Sequence, residues 1–593
     1  MPFMMDFETN TGDIEETRVW GWACVSIESP DDTYHYGNDI STWFKVMEGL
    51  SYACETVYFH NAKFDCDFII NYVLGQGWEF KPKAKDCKRK CFTVLIGGNG
   101  AFYQMRLYFA KNRYVTIIDS LKILPFKVKI IAPSFGLEET KLKIDYKRIR
   151  EPGYELTPEE IEYMKNDVTI VAKSLSVLFS QGLTKNTQAA NAMYDYKQMI
   201  GNYWKYYFPE IPNEDAFIRK SYRGGFTYLN DKFKGKKVGK GIVFDVNSLY
   251  PWVMWYHLLP YGQPVYYEGR YKESESYPLY VQHLSCVFEI KEGFIPTIQI
   301  KHNLRFVGNE YLKSSADDKG NLQRVELYLT NVDLELFLKH YNVSDIVWID
   351  GYKFHGTRGM FKEYVEKWMA VKIQASKDKN YGLRTLSKIM MNALYGRFGL
   401  NPITVNKIPS IGDDGRTVYS NVREKDRKPV YIPVATFVTA YARYKTITSA
   451  QAVYDRFIYA DTDSLHLIGE EMPEDLEIDL VQLGAWKHES SFIQGKYIRQ
   501  KCYIELEPRR YKDTIASEKW KLHSASIKKG YLTSRGRYHP VETKVTVAGL
   551  PEECHKRVTW ENFQSGAKYH GKLVPKHVKG GTVLVETDFT ISD

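Results

Sequence analysis

The sequence predicts an α/β fold in two parts, an α/β unit over about the first 185 residues and a larger mixed α/β region after it. Runs rich in β-branched and aromatic residues lead to a capped helical pattern in the first part, and paired helices with separate strands follow from near residue 186. The chain has 593 residues, 44% of them hydrophobic and 26% charged, so roughly four structural units of about 150 residues are expected and a disordered or fibrous protein is excluded.

The first part is predicted to contain strands separated by polar segments and to end in a long helix. Thr157 is a suitable N-cap for a helix over Thr157–Phe179, since Pro158 can occupy the first helical position and Glu160 completes a capping box. Gly182 follows the end of that pattern. The β-like runs are Met4–Glu8, Val19–Ser26, Thr56–Phe59, Cys91–Ile96 and Tyr114–Ile118.

The second part shows a different order of elements. Strands are predicted at Ile242–Val246 and Phe457–Ala460, and a hairpin is predicted within 402–432 around Gly412–Gly415. Helical patterns cover 361–376, 381–398 and Thr436–Tyr454, the first two forming an αα-hairpin.

Composition narrows the class of protein. Lys and Arg number 81 against 72 Asp and Glu, and the resulting charge of +9 suits an anionic partner. Aromatic residues make up 15%, with 45 tyrosines, whose rings can stack on bases and sugars. The apolar runs are far shorter than the ~20 residues of a membrane span. Neither an export signal nor a disulfide scaffold is expected, and the eight cysteines favour a reducing, cytosolic setting.

Acidic residues recur in the first part at spacings that suit metal binding. Asp6 and Glu8 are two apart on a predicted strand, so both side chains should project from one face. Tyr163 and Asp167 are four apart on the capped helix, and Asp65 ends the run YFHNAKFD, which we expect to be a loop. Hard oxygen ligands suit Mg²⁺ or Mn²⁺, and two such ions can direct water at a phosphodiester.

A second acidic set lies in the second part. Asp245 follows the strand Ile242–Phe244 within the segment DVNSLYP. Asp461 and Asp463 follow Phe457–Ala460 in YADTDS, and the spacing predicts that both project from one face at the strand end. A turn is the alternative interpretation of the D-T-D segment.

A helix between these acidic segments carries an unusual polar stripe. Lys388, Asn392 and Tyr395 lie at offsets of 0, 4 and 7, so they share one face. A cation, an amide and an aromatic ring suit a nucleoside triphosphate better than a core. Lys372 on the preceding helix is a further phosphate candidate; an exposed amphipathic helix is the alternative.

The acidic residues of the first part resemble the three motifs of DEDDy-type 3′–5′ exonuclease domains. The resemblance implies that Asp6, Glu8, Asp65 and Asp167 bind metal and that Tyr163 orients the attacking water. It also implies a catalytic lysine ahead of the third motif, for which Lys141 and Lys143 both fit, with Lys141 preferred. The residues expected to hold the single strand are Thr9, His60, Asn61, Phe64, Ser120 and Leu121.

The second part resembles motifs A, B and C of family B DNA polymerases. The fold implied is an α/β, RNase H-like exonuclease domain followed by a right-hand polymerase domain of palm, fingers and thumb, with two inserted subdomains. The implied catalytic, metal-binding carboxylates are Asp245, Asp463 and Asp461, with the first two binding the two ions and Asp461 close by. Tyr250 resembles the steric gate that excludes a 2′-OH. DNA contacts are expected from Tyr222, Arg223, Gly224, Gly225, Ser248, Gly396, Lys501 and Tyr503.

Spacing indicates a particular branch of that family. The segment between Asp245 and Lys388 is some 100 residues longer than the helical hairpin requires, and the segment between Gly396 and Asp461 has a smaller surplus. Insertions at these two places resemble those of the protein-primed members of the family. The segment LTNVDLEL (329–336) is similar to replicative polymerases of small Bacillus podoviruses. The expected boundaries are 1–186 exonuclease; 187–256 and 430–545 palm; 257–360 insertion 1 (terminal-protein region 1); 361–398 fingers; 399–429 insertion 2 (terminal-protein region 2, a β-hairpin); and 546–593 thumb.

The resemblance implies the cofactors and partners as well. Mg²⁺ is expected, with Mn²⁺ possible, and dNTPs are the expected substrates. The expected partners are a DNA template-primer, a single-stranded 3′ end and a terminal protein whose hydroxyl serves as the first primer. The chain is expected to act in the cytoplasm of a bacterial host, without a membrane span, as a monomer or as a heterodimer with the terminal protein.

Two other hypotheses fit part of the sequence. An RNA-templated polymerase is suggested by the aromatic residue before D-x-D, but a complete exonuclease set argues against it. A non-catalytic DNA-binding or genome-capping protein could retain the fold, but all seven carboxylates are present.

Overall fold

The computed structural model describes residues 2–146, 148–299, 311–317, 319–423, 427–508, 530–532 and 538–592. By backbone contacts the chain forms two compact units. The first unit comprises Met1–Gly201, Glu366–Lys428 and Leu573–Glu586, and the second comprises Asn202–Val365, Pro429–Lys572 and Thr587–Asp593. Part of the expected second palm segment, 430–545, lies outside the described residues.

The N-terminal part of the first unit is an α/β layer structure. Its helices and strands are β1 (Phe3–Thr9), β2 (Val19–Ser26), β3 (Tyr34–Gly37), α1 (Ile40–Leu50), β4 (Thr56–Phe59), α2 (Ala62–Gly75), β5 (Glu79–Phe80), β6 (Cys91–Ile96), β7 (Phe102–Ala110), β8 (Arg113–Asp119), α3 (Val128–Phe135), α4 (Pro158–Ser180) and α5 (Gln188–Ile200).

These strands form one mixed sheet in the order β3-β2-β1-β4-β8-β7-β6-β5. Strands β1, β4 and β8 run parallel to one another, and the other pairs along the β3–β6 stretch are antiparallel. Helix α4 packs against β1 and β2. Its N-terminus has the predicted capping box, with Thr157 N–H donating to Glu160 Oε2 (3.1 Å) and Glu160 N–H donating to Thr157 Oγ1 (3.3 Å).

The next part of the chain belongs to the second unit. Its helices and strands are α6 (Trp204–Tyr207), α7 (Pro212–Arg219), β9 (Thr227–Leu229), β10 (Lys237–Val238), β11 (Gly241–Val246), α8 (Leu249–Tyr256), β12 (Leu259–Glu268), β13 (Leu279–Ile290), β14 (Ile298–Gln299), β15 (Tyr311–Leu312), β16 (Val325–Thr330), α9 (Asn331–His340) and β17 (Tyr341–Thr357). Strands β12, β17, β13 and β16 form a separate antiparallel sheet in that order.

A helical hairpin and a β-hairpin follow, and residues 366–428 of this stretch return to the first unit. The elements are α10 (Lys362–Lys377), α11 (Tyr381–Phe398), β18 (Val405–Ile411) and β19 (Thr417–Arg423). The αα-hairpin and the β-hairpin that the sequence predicts are therefore both present. Helix α11 packs against α3 and α5, and its N-terminus is capped by Asn380, whose side chain accepts a hydrogen bond from Leu383 N–H (2.9 Å).

The C-terminal part completes the second unit. Its elements are α12 (Ile432–Ala452), β20 (Phe457–Asp461), β21 (Ser464–Ile468), β22 (Trp486–Phe492), β23 (Gln494–Arg499), β24 (Cys502–Pro508), β25 (Gly530–Leu532), β26 (Tyr538–Val547), α13 (Glu552–His555), β27 (Lys568–Val578) and β28 (Gly581–Thr590). One sheet has the order β22-β11-β21-β20-β9 and another the order β10-β23-β24-β26-β25. Helix α12 starts four residues before the predicted Thr436 because Pro433 occupies its first turn.

The described residues contain no helix that is both long and apolar enough to cross a membrane. All eight cysteines lie among them, and each carries a free thiol.

A buried arginine ties three segments of the second unit together. Arg443 on α12 donates to Asp333 on α9, with Nη2 2.7 Å from Oδ2 and Nε 3.1 Å from Oδ1. Its Nη1 also donates to the main-chain carbonyls of Arg223 (2.9 Å) and Gly224 (2.8 Å). The Arg443 side chain is only 1% exposed, so each of these hydrogen bonds replaces water that the group has lost.

We expect Arg443→Met to lower the free energy of unfolding by about 3–5 kcal/mol, because it leaves Asp333 and two carbonyls without their buried donor. The measurement is the midpoint of thermal unfolding. Tyr444→Phe on the same helix is the control, since it removes only the exposed hydrogen bond to Glu335 (2.8 Å). Equal melting of Arg443→Met and wild type would contradict this role.

Candidate active sites

The first unit brings three of the predicted carboxylates together. Oxygen atoms of Asp6, Glu8 and Asp167 all lie within 4.8 Å of one another. Asp6 and Glu8 share one face of β1, as their spacing predicts, and Asp167 comes from α4, which packs on that strand. Among the described residues this is the group of at least three His, Cys, Asp or Glu side chains close enough to share one ion.

Crowding and burial make this cluster electrostatically unfavourable by itself. Burial, followed by the charge of Asp167, raises the pKa of Asp6 to about 7. Burial and then the charge of Asp6 raise the pKa of Glu8 well above its ordinary value. Asp167 Oδ1 is buried and has no hydrogen-bond partner among the described residues. Three oxygen donors, one of them without a partner, fit a hard divalent cation, which would offset this repulsion.

Lys141 supplies the positive charge that this cluster has in the structure. Its ammonium group donates to Asp167 and lies 3.3 Å from the Tyr163 hydroxyl. Although burial opposes it, the Asp167 charge leaves the pKa of Lys141 above its ordinary value. Lys143, the other lysine that fits the motif, is exposed. The geometry therefore favours Lys141 as the lysine of this site.

Tyr163 has a second phenol beside it that the sequence analysis did not identify. The hydroxyl groups of Tyr163 and Tyr146 lie 2.7 Å apart, and their rings are nearly perpendicular at 82°. Burial, and then the charge of Glu8, raise the pKa of Tyr163 above its ordinary value. Tyr146 is five residues after Lys141 in an irregular segment, so the only available signal was an aromatic residue close to the motif lysine.

Asp65 was expected in a loop, and this expectation is wrong: the residue lies in the first turn of α2. Asn61, immediately before the helix, has φ +70°, so the chain turns sharply out of β4 and helix α2 begins at Ala62, within the segment that was expected to be a loop. Asp65 is buried, and burial together with the charge of Asp6 raises its pKa well above the ordinary value.

The N-terminus of α2 is held by a residue outside the predicted set. The Oδ1 atom of Asp119, at the end of β8, accepts hydrogen bonds from the N–H groups of Asn61 (3.1 Å), Ala62 (3.2 Å) and Leu121 (3.0 Å). Asp119 thus acts as a cap supplied from another strand. No local sequence pattern could reveal it, because 58 positions separate Asp119 from Asn61.

The residues expected to hold a single strand differ in their surroundings. His60 Nε2–H donates to the Phe126 carbonyl (2.7 Å) and Nδ1 lies 2.9 Å from Ser120 Oγ, while burial lowers the His60 pKa to about 4. His60 is therefore a neutral side chain that stabilises the segment from Ser120 to Phe126 through these two contacts. Thr9 and Ser120 are buried, whereas Leu121 is half-buried.

A cavity of about 320 Å³ lies beside the carboxylates, and we call it the exonuclease cavity. Its walls include the predicted residues Asp6, Asp65, His60, Asn61 and Phe64. Another part of its wall comes from the β27–β28 hairpin, through Pro575, Thr582 and Leu584, which belong to none of the sequence motifs.

The second unit brings its three aspartates to one end of a sheet. In register, Asp245 on β11 and Asp461 on β20 flank Ser464 on the central strand β21. The main chain of Asp463 is tied to the same point, because its carbonyl accepts a hydrogen bond from Val246 N–H (2.7 Å).

The prediction that Asp461 and Asp463 share one face of a strand is wrong. Asp461 ends β20, and Thr462 and Asp463 form the two-residue turn of the β20–β21 hairpin. Thr462 has φ +62°, a left-handed conformation that is unfavourable for a β-branched residue. The turn interpretation was correct for the backbone, and it is compatible with a catalytic role.

Neighbouring segments of the same unit fix this turn. Thr462 N–H donates to the Phe226 carbonyl (2.6 Å), and Thr446 Oγ1 on α12 donates to the Thr462 carbonyl (2.6 Å). A β-carbon on Gly225 would lie 2.7 Å from Thr462 Oγ1, so only glycine fits there. The segment Tyr222–Gly225 therefore has a structural function next to the turn that carries Asp463, in addition to any contact with DNA.

The Asp461 carboxylate has several partners. Lys501 Nζ lies 2.7 Å and 2.6 Å from its two oxygens, Thr227 Oγ1 donates to Oδ1 (3.1 Å) and the Tyr459 hydroxyl donates to Oδ2 (3.2 Å). Tyr503 is buried and its ring lies 5.4 Å from that of Tyr459. Lys501 and Tyr503, expected on the primer strand, thus line the same end of the sheet as the aspartates.

The remaining predicted residues of the second unit precede or follow strand β11, which carries Asp245, in the sequence. Ser248 has φ +54° and immediately precedes α8, and Tyr250 is the second residue of that helix and half-buried. Burial raises the pKa of Tyr222 above its ordinary value. The carbonyls of Arg223 and Gly224 are held by Arg443.

Helix α11 of the first unit carries the predicted stripe. Its buried face includes Met390 and Leu394, whereas Lys388 is exposed and Asn392 and Tyr395 are half-buried. Gly396 follows directly, in space that would accept a β-carbon, and Lys372 is half-buried on α10. The predicted separation of a polar stripe from an apolar face is confirmed for this helix.

Comparison with known proteins identifies the class. A family model described as DNA polymerase type B, organellar and viral, matches residues 148–479. The DNA polymerase of Bacillus phage Nf is 42% identical over 599 residues, covering 99% of each chain. That of Bacillus phage phi29 is 41% identical over 597 residues, covering 99% of this chain and 98% of the relative. The chain belongs to the type B DNA polymerase family.

The similarity to phi29-type polymerases extends over the whole chain. A solved structure of phi29 DNA polymerase complexed with primer-template DNA and incoming nucleotide substrates matches with a TM-score of 0.89 and 40% identity, covering 100% of both chains. The predicted fold is confirmed: an exonuclease domain followed by a polymerase with palm, fingers and thumb. The predicted enzyme class, a DNA-directed DNA polymerase, is confirmed as well, in preference to the two alternative hypotheses.

The position of Lys141 generates a test between the two candidate lysines. We expect Lys141→Ala to slow hydrolysis of a 3′ single strand by about a hundredfold, because it removes the charge-assisted hydrogen bonds to Asp167 and Tyr163. Lys143→Ala is the matched control and should retain nearly wild-type hydrolysis. Single-turnover degradation of an end-labelled oligonucleotide measures both, and the reverse ranking would show that Lys143 is the residue required.

Proposed function

We propose that this DNA polymerase starts synthesis of linear viral DNA on a protein primer, elongates with strand displacement and high processivity, and proofreads with a 3′–5′ exonuclease. The observation that carries the exonuclease assignment is the convergence of Asp6, Glu8 and Asp167, with Lys141 and Tyr163 beside them. The relationship to phi29-type polymerases supports the protein-primed assignment.

At the exonuclease site, Asp6, Glu8, Asp65 and Asp167 would hold Mg²⁺ or Mn²⁺, which when bound activates water and neutralises charge on the phosphate. Lys141 balances part of the carboxylate charge and holds Asp167 in place. Tyr163, whose pKa is raised, stays a neutral phenol that can orient a water molecule through its hydroxyl. Asn61 and Phe64 contribute to the wall along which a frayed 3′ end would lie.

At the polymerase site, Asp245 and Asp463 would hold Mg²⁺. This role suits two carboxylates whose main chains are adjacent, since Val246 N–H, next to Asp245, donates to the Asp463 carbonyl. Asp461 keeps Lys501 in position beside them. We assign Lys388, Asn392, Tyr395 and Lys372 to the incoming dNTP, and Tyr250 to exclusion of a ribose 2′-OH. We assign primer and template contacts to Tyr222, Arg223, Gly224, Gly225, Ser248, Gly396, Lys501 and Tyr503.

The domain assignment follows from the same relationship. We assign residues 1–186 to the exonuclease, 187–256 and 430–545 to the palm, 361–398 to the fingers and 546–593 to the thumb. Insertion 1, at 257–360, would contact a terminal protein, and insertion 2, at 399–429, would encircle downstream DNA. The β12-β17-β13-β16 sheet lies within insertion 1, and the β18–β19 hairpin lies within insertion 2. Each insertion thus forms a sheet of its own, which supports a separate role for each.

The proposed partners are a DNA template-primer, a single-stranded 3′ end and a terminal protein that donates the first hydroxyl. The similarity to phage polymerases supports action inside an infected bacterial cell, and we place this polymerase in the host cytoplasm, as a monomer or as a heterodimer with the terminal protein.

Separate substitutions should distinguish the two active sites. We expect Asp463→Ala to reduce dNTP incorporation by about a thousandfold and to leave degradation of a 3′ single strand intact, because one metal ligand is lost and it belongs to the polymerase site alone. The double variant Asp6→Ala, Glu8→Ala should have the opposite effect. Primer extension and exonuclease assays on the same preparations measure both activities, and loss of both activities in either variant would refute two separate sites.

Protein priming has a direct test. With labelled dATP, Mg²⁺ and the candidate terminal protein, but no nucleic-acid primer, we expect a labelled protein band, since a protein hydroxyl replaces the primer 3′-OH. Asp463→Ala should give no band. An enzyme that extends a DNA primer normally but never labels the protein would be an ordinary type B polymerase.

A further inference from the structure

A smaller cavity of about 150 Å³ adjoins the exonuclease cavity within the first unit. The two cavities share three lining residues, Lys63, Asp67 and Pro575, so they adjoin one another at these side chains. We call the smaller one the side cavity. Its other walls come from strands β6, β7, β18, β19 and β27 and from the turn before β7, through Ile96, Gly100, Phe102, Lys407, Tyr419 and His577.

Two ammonium groups converge on the Gly100 turn of the side cavity. A β-carbon on Gly100 would lie 3.3 Å from Lys63 Nζ and 3.7 Å from Lys407 Nζ. Within the described residues, neither ammonium group has a carboxylate oxygen within 4 Å or a hydrogen-bond acceptor. Two cations near one point repel each other, so an anion placed between them would be stabilised.

The acidic residue among the described lining is Asp67, and the charge of Lys63 acts on its carboxylate, although the two form no ion pair within 4 Å. Asp67 is buried, and its carboxylate accepts hydrogen bonds from the Tyr419 hydroxyl and from Thr582 Oγ1 (2.8 Å). His577 Nδ1 lies 2.9 Å from the same Thr582 hydroxyl. These contacts hold Asp67 in place and leave neither lysine in an ion pair with it.

The remaining lining is aromatic and apolar. Phe102 and Ile96 are buried, and the rings of Tyr419 and His577 lie 5.4 Å apart. A flat ring with an attached phosphate matches a wall of this kind next to two cations, because base stacking and phosphate pairing are the two contacts by which single strands are bound without sequence preference.

We propose that the side cavity is a subsite for one nucleotide of single-stranded DNA, on the 5′ side of the residue that is hydrolysed, with Lys63 and Lys407 on its phosphate. The inference rests on the proposed exonuclease function and deepens it. It gives the β18–β19 hairpin a part in holding the strand that is degraded, since Lys407 lies on β18.

Lys407→Ala tests the subsite in the full-length enzyme, with oligothymidylates from dinucleotide to dodecamer as substrates. Lys407 lies on an exposed hairpin, and Lys407→Arg retains the charge. Lys111→Ala, in the β7–β8 turn, removes an exposed lysine away from either cavity. We expect Lys407→Ala to raise KM about fivefold for substrates long enough to reach the subsite, with kcat unchanged and no effect on the dinucleotide. Lys407→Arg and Lys111→Ala should behave as wild type.

A separate measurement of single-strand binding distinguishes the proposed subsite from the proposed exonuclease activity. In the Asp6→Ala, Glu8→Ala background, fluorescence anisotropy should show a salt-dependence slope lower by about 0.7 per lost phosphate contact in Lys407→Ala. If wild type hydrolyses oligonucleotides but Lys407→Ala keeps the same KM and salt slope at every length, the subsite is refuted. If wild type hydrolyses nothing and binding still depends on Lys407, the exonuclease function is refuted and the subsite is retained.

Discussion

The mutual repulsion of carboxylates that are held together away from water is the constraint on which the exonuclease site depends. Asp6, Glu8 and Asp167 have oxygen atoms within 4.8 Å of one another, and burial raises the pKa of each. Such a cluster persists only where the surrounding structure fixes it and a cation compensates it. Lys141 provides part of that compensation in the first unit, and in the second unit Lys501 forms an ion pair with Asp461.

The backbone around each site is shaped to hold those charges. Asn61 and Thr462 both have positive φ, at +70° and +62°, and each precedes a predicted metal ligand by four residues or fewer. The left-handed conformation is unfavourable for the β-branched Thr462, whereas asparagine adopts it readily. Hydrogen bonds with distant segments hold both residues: Asp119 for Asn61, and Phe226 and Thr446 for Thr462. The packing within each unit therefore also maintains these two positive-φ conformations.

Much of the fold could be predicted because the relevant signals are local. The capping box at Thr157 and Glu160, the αα-hairpin and the apolar strands beside Asp245 and Asp461 depend on residues within a few positions of one another. The predictions that were wrong concern local backbone direction. Asp65 was expected in a loop and lies in a helix, and the D-T-D segment was expected as a strand face and forms a hairpin turn. In both places, contacts with distant residues override the local pattern.

The sequence by itself determined the inventory of carboxylates, their grouping into two sets and the family to which the motifs belong, because spacing along a strand or helix fixes which side chains share a face. Only the tertiary structure decided which lysine meets Asp167, that Asp119 caps α2, that Tyr146 lies against Tyr163, and that Lys63 and Lys407 flank one turn. These pairings join residues from separate elements, up to 344 positions apart for the two lysines. Their geometry depends on how strands and helices pack, which no local spacing encodes.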